Sequence, residues 1–97
     1  MLFTVVSIDK PGTAALRNKT RPAHRAFIET IQSKLAQAGA VLGADGEVVG
    51  TVVFIEAGDR AEVEQIVAKD PYVKVGLFES VIIGPYRESI RNGVRTN

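Results

Sequence analysis

Apolar residues in this chain switch repeatedly between a period of two and a period of about 3.6, and the order of the switches limits the folds open to it. Residues 2–8 (LFTVVSI) are rich in β-branched side chains and read as a strand that stops at the turn signal Asp9-Lys10-Pro11-Gly12. The next stretch, residues 13–21, holds alanines, Leu16 and scattered cations, and fits either a loop or a short helical turn. Pro22 suits the first turn of a helix and Gly39 its stop, with Phe27, Ile28, Ile31, Leu35 and Ala38 between them at helical spacing. Residues 40–44 read as a short strand, Asp45-Gly46 as a hairpin turn, and residues 47–56 (EVVGTVVFIE) as a long second arm. Asp59 followed by Glu62 resembles a capping box, opening a helix that buries Val63, Ile66 and Val67 and ends at Pro71. Residues 76–84 form the last strand, closed by Pro85 because proline cannot donate to a continuing ladder. Strand, helix, hairpin, helix, strand predicts an α+β domain of split βαβ type, βαββαβ, whose antiparallel sheet carries both helices on one face.

Such a sheet should have one apolar and one polar face. Here Leu77, Val81 and Ile83 oppose Phe78 and Ile82 in the last strand, and Val49, Val53 and Ile55 oppose Val48, Val52 and Phe54 in the hairpin arm. Two helices cover one side only, so the pattern predicts a homodimer formed through the open sheet face.

The chain has 97 residues, enough for one domain, taken as residues 1–86, with 87–97 a C-terminal tail that has little to pack. A net charge of +1 with interspersed signs offers no basic field for nucleic acid. The apolar start, residues 1–8, is too short for a signal peptide or membrane span, so no membrane partner is expected. With no cysteine there is neither a disulfide framework nor a thiolate metal site, and a cytoplasmic location is expected.

His24 is the only histidine. It falls in the stripe of Phe27, Ile28, Ile31 and Leu35, aimed at the sheet, where a ring either is satisfied by a backbone carbonyl or does acid–base work. Asp70, at the end of the second helix, faces the unfavourable pole of the helix dipole. It either starts the Asp70-Pro71-Tyr72 turn or is held by a partner. If it reaches His24 it fixes the tautomer and favours the imidazolium more than a helix amino terminus opposes it. Asp9 is a second candidate partner for His24, or a turn residue. Arg17 and Arg21 are candidates for holding an anionic substrate by bidentate hydrogen bonds, and Tyr72 for lining its pocket. Asp45 is read as a hairpin residue. Gly43-Ala44-Asp45-Gly46 lies in a hairpin where no nucleotide fingerprint works. One histidine without cysteine argues against zinc, and Ser7, Ser33, Ser80 and Ser89 lie in no nucleophile elbow. No metal or organic cofactor is required.

Asp9-Lys10-Pro11-Gly12 with Leu16-Arg17, then Arg21-Pro22-Ala23-His24, then Asp70-Pro71-Tyr72-Val73 with Gly76-Leu77-Phe78, together resemble the YciI-related (YCII) family over residues 1–86. The resemblance implies a ferredoxin-like fold of the dimeric α/β-barrel group, with two sheets facing each other in the dimer. It implies a site on a histidine and an aspartate, mapping onto His24 and Asp70, and some members are linked to dehydrochlorination of a chlorinated hydroxyhydroquinone. Residues 43–49 are shorter here than the acidic loop of many relatives, and if that loop supplies the working aspartate, Asp45 is its nearest counterpart. The resulting expectation is a small-molecule enzyme of lyase or isomerase type. The alternative is a non-catalytic ligand-binding or dimerisation module of the same fold.

Overall fold

The computed structural model describes residues 1–97. Strand β1 (Leu2–Asp9) leads into helix α1 (Ala14–Ile31), a 3-10 turn (Gln32–Lys34), strand β2 (Leu35–Leu42) and strand β3 (Val48–Glu56). Helices α2 (Arg60–Ala68) and α3 (Pro71–Lys74), strand β4 (Phe78–Pro85) and a small hairpin of β5 (Ile90–Arg91) and β6 (Val94–Arg95) follow. The main sheet has the order β2-β3-β1-β4 and every neighbouring pair is antiparallel. This is the ferredoxin-like α+β arrangement of the dimeric α/β-barrel type.

Strand register explains the core. Phe3 sits opposite Ile55, Val5 opposite Val53 and Ser7 opposite Thr51, and side chains at alternate positions share a face. Phe3, Val5, Ile55 and Ala57 pack with Val63 of α2 into one buried cluster. Val6, with Val52 on one side and Ile82 on the other, belongs to the opposite face. No helix covers that face, and Ile82 there is 61% exposed. Gly50 has no room for a side chain, because a Cβ would meet the Ser7 carbonyl oxygen of β1. Of α1, only Arg17 and Thr20 are buried.

Local signals account for the connections. Between β2 and β3, Asp45 Oδ1 accepts from the Glu47 amide at 3.0 Å while the Gly43 amide donates to the Glu47 carbonyl at 2.7 Å. Asp59 caps α2, accepting from the Glu62 amide at 2.9 Å, and Glu62 Oε1 in turn accepts from the Gly58 amide at 3.3 Å.

Several boundaries differ from the sequence pattern. Helix α1 begins at Ala14, so the stretch read as loop or turn is helical and Pro22 lies in the helix interior. The helix stops at Ile31, and Leu35 and Ala38 sit in β2, opposite Ile55 and Val53. Pro71 is not only a stop but the first residue of α3. The tail folds back on itself around Asn92 (φ 50°) and Gly93 (φ 77°), the positive-φ pair a tight hairpin needs. No helix is long and apolar enough to cross a membrane.

Candidate active site

The candidate residues converge where β1 ends, α1 begins and α2 gives way to α3. Thr20 Oγ1 donates to the Leu16 carbonyl at 2.8 Å, a bond inside the helix that lets a polar side chain be buried there. Arg17 turns back to Asp9 at the end of β1. Its Nε donates to Asp9 Oδ2 at 2.7 Å and its Nη2 to Oδ1 at 2.8 Å, with the side chains 10% and 7% exposed. Such a fork-to-carboxylate pair is strong and geometrically fixed. The bonded carboxylate holds the guanidinium above its ordinary value, against the opposing effect of burial.

Asp9, a candidate partner of His24 or substrate contact on its sequence position, is bonded in the structure to Arg17. Two of the Arg17 donors are occupied, so this arginine cannot offer that edge to a substrate anion.

His24 lies in the middle of α1, not at its first turn. The amino-terminal pole of the helix therefore does not act on the ring, since that field fades beyond the first turn. Its Nδ1 lies 3.0 Å from Asp70 Oδ1. A carboxylate is an acceptor only, so Nδ1–H donates and Nε2 keeps its lone pair for whatever the ring meets. Asp70 occupies both of the settings the sequence left open, the start of the Asp70-Pro71-Tyr72 turn and contact with a partner. It stands after α2 as the N-cap of α3, and the same Oδ1 accepts from the Tyr72 amide at 2.9 Å. The carboxylate, just past the end of α2, is therefore met by one amide and one imidazole donor.

Tyr72 completes a stack. Its ring lies on the His24 ring with centroids 4.0 Å apart and planes 20° apart, and the Arg17 guanidinium carbon sits 4.6 Å from the Tyr72 centroid. Phe78 meets Tyr72 edge-on at 5.9 Å. Burial raises the Tyr72 phenol above its ordinary value, with Arg17 pulling the other way. Each contact contributes about 0.5–1.5 kcal/mol, and together they give the imidazole one orientation. Sequence reasoning missed this stack and the Asp9–Arg17 pair. The available signal was the spacing of Arg17, Thr20, His24, Phe27 and Ile31, which carries the helix stripe back through polar residues.

A cavity of about 670 Å³ lies between α1, the sheet and α2, with His24, Asp70, Tyr72, Arg17 and Arg21 in its walls. Arg21 is exposed and makes no ion pair. Asp45 is exposed in its hairpin and is not among the cavity residues. No group of three or more histidine, cysteine or carboxylate side chains is arranged to hold a metal ion.

The architecture and the pocket define an α+β chain of the dimeric α/β-barrel type that presents a histidine–carboxylate pair to a largely apolar cavity. A family model for the YCII-related domain matches residues 1–87, and the chain belongs to that family. Protein YciI from Escherichia coli O6:H1 is 29% identical over 96 residues, covering 91% of this chain and 98% of that one. Among solved structures, the 5-chloro-2-hydroxyhydroquinone dehydrochlorinase TftG from Burkholderia phenoliruptrix AC1100, in complex with 2,5-dihydroxybenzoquinone, is 33% identical. That match covers 90% of this chain and 94% of the other, with a TM-score of 0.86. Protein Atu4242 from Agrobacterium tumefaciens, 17% identical with a TM-score of 0.53 over 99% of this chain and 100% of that one, shares the fold.

Proposed function

We propose that this protein is a small-molecule enzyme of lyase or isomerase type in which His24 is the proton-transfer group. The observation that carries the reading is the 3.0 Å contact from His24 Nδ1 to Asp70 Oδ1 in the wall of the large cavity. With Nδ1–H held by the carboxylate, Nε2 takes a proton from the substrate as general base. The electron pair released either expels a leaving group, which departs with its bonding pair, or moves within the substrate until the imidazolium returns the proton elsewhere. Asp70 stabilises the imidazolium between these steps and fixes the ring. Arg21 supplies positive charge for an anionic substrate, such as a phenolate or enolate. The 33% identical dehydrochlorinase, with its bound dihydroxybenzoquinone, makes hydroxylated and chlorinated aromatics the first substrates to try.

The working unit of this reading is a cytoplasmic homodimer, its two sheets meeting through the face that carries Val6, Val52 and Ile82. The test is turnover of chlorinated hydroxyhydroquinones, followed by chloride release and by chromatography. His24→Ala is expected to lose about 10²–10⁴ in kcat, the usual contribution of a positioned acid–base group. Equal turnover by wild type and His24→Ala removes the proposal.

A further inference from the structure

The cavity is graded along its length, and both of its walls run the same way. On the sheet side the paired positions pass from Ser7 and Thr51 through Val5 and Val53 to Ile55. On the helix side α1 passes from Arg17, Asn18 and Arg21 through His24 to Ile28 and Ile31. The directions agree. Asp9 at the end of β1 is bonded to Arg17 near the start of α1, while Lys34 just beyond α1 reaches Glu62 near the start of α2 at 3.5 Å. Polar and cationic groups therefore gather at one end, where β1 finishes. The other end is apolar and closes on Ile55 and Val63, which are 2% and 0% exposed. Arg25, Glu29 and Glu47 also line the cavity but are exposed.

Size adds a second argument. A substituted single ring of about ten non-hydrogen atoms displaces roughly ten water-sized volumes of ~30 Å³, or ~300 Å³ in all. The cavity, at about 670 Å³, has more than twice that room. From His24 to Ile31 the helix rises about 10 Å at ~1.5 Å per residue, so the surplus space extends along the apolar arm. Burying apolar atoms there is favourable, because Ile28, Ile31 and Val53 of this wall are only half-buried.

We propose that the ligand of this cavity is an amphiphile: an acidic ring held at the His24 end, carrying an apolar extension of about 10 Å that lies between α1 and the sheet. The proposal rests on reading the cavity as the substrate site and specifies the class of molecule it takes. The polar end reads the ring through His24 and Arg21. The arm through Ile28, Ile31 and Val53, all in the cavity wall and only half-buried, reads the extension.

The probe is a series of 4-alkylcatechols, from methyl to heptyl, titrated calorimetrically against the full chain. Affinity is expected to rise about fourfold per methylene while the tail fills the arm. A dissociation constant that stays level along the series overturns the proposal. Val53→Phe, which narrows the middle of the arm, is expected to weaken heptylcatechol at least tenfold and leave methylcatechol within about twofold. Equal weakening of both also overturns it, and if Val53→Phe does not fold, the wild-type series decides alone. Failure here is separable from failure of the acid–base reading. A rising series with turnover indifferent to His24→Ala sinks the chemistry and keeps the amphiphile, and a level series with turnover that depends on His24 does the reverse.

Discussion

Asp9→Asn strands a cation. In the native chain the Asp9 carboxylate accepts both the Nε and Nη2 bonds of Arg17, at 2.7 and 2.8 Å, with each side chain 10% exposed or less. Asparagine has nearly the same shape but keeps one acceptor oxygen, and its amide group would present N–H against one of the guanidinium N–H groups. One charge-assisted bond is lost and the arginine is left without its counter-charge. Removing one member of a buried pair costs about 3–5 kcal/mol. The guanidinium borders the cavity, where water can reach part of it, so the lower figure of about 3 kcal/mol applies. For a domain of this size each kcal/mol moves the melting temperature by about 4–8 °C, giving a drop of about 12–24 °C by calorimetry. That is a large share of a total stability of roughly 5–15 kcal/mol. The decisive companion is the double variant Asp9→Asn with Arg17→Met. It removes the stranded cation and is expected to be more stable than Asp9→Asn alone, as a double-mutant cycle would record. A loss below about 1 kcal/mol for Asp9→Asn, the level of an exposed pair, refutes the account.

Because burial raises the Tyr72 phenol above its ordinary 10.0, the native state holds that proton longer than the unfolded chain does. Its contribution to stability is therefore intact below pH 10 and lost as the pH climbs through the higher folded-state value, so urea midpoints should fall above pH 10 more steeply in wild type than in Tyr72→Phe. Pro22→Ala restores an amide donor in the interior of α1 at an exposed position and is expected to raise stability by about 1–3 kcal/mol in urea unfolding; a lower midpoint would mean that the helix needs the proline. Ile82→Asp puts a charge on the uncovered sheet face and is expected to halve the mass measured by light scattering, whereas a wild-type mass of one chain would end the dimer proposal.

The parts of the fold legible in the sequence are those where local chemistry and tertiary context agree. Residues 2–8 gave a strand, Asp45-Gly46 a hairpin, and Asp59 with Glu62 a capped helix, because each carries its own backbone solution. The limits of α1 were hidden because its first half buries Arg17 and Thr20, polar side chains satisfied by Asp9 and by the Leu16 carbonyl. Apolar periodicity cannot register such positions. Leu35 and Ala38 continue the helical spacing yet pair with Ile55 and Val53 of β3, and sheet pairing overrode their propensity. Asn92-Gly93, by contrast, carries a local hairpin signal of its own in the two positive-φ positions. At the site, His24 and Asp70 could be named as candidates from residue type and resemblance. The Tyr72 ring lying on His24 could not, since a stack depends on where two helices meet.

One oxygen of Asp70 answers two donors at once, an imidazole from α1 and the amide that opens α3. A glutamate here, one methylene longer, could not keep both distances, so the position is specified by backbone closure as well as by any chemistry. Drift should therefore act unevenly on the pair. A descendant that no longer moves protons can discard the ring of residue 24 freely, but dropping the carboxylate of residue 70 would also fray the turn beneath it. Where the two part company among relatives, the histidine is the informative one.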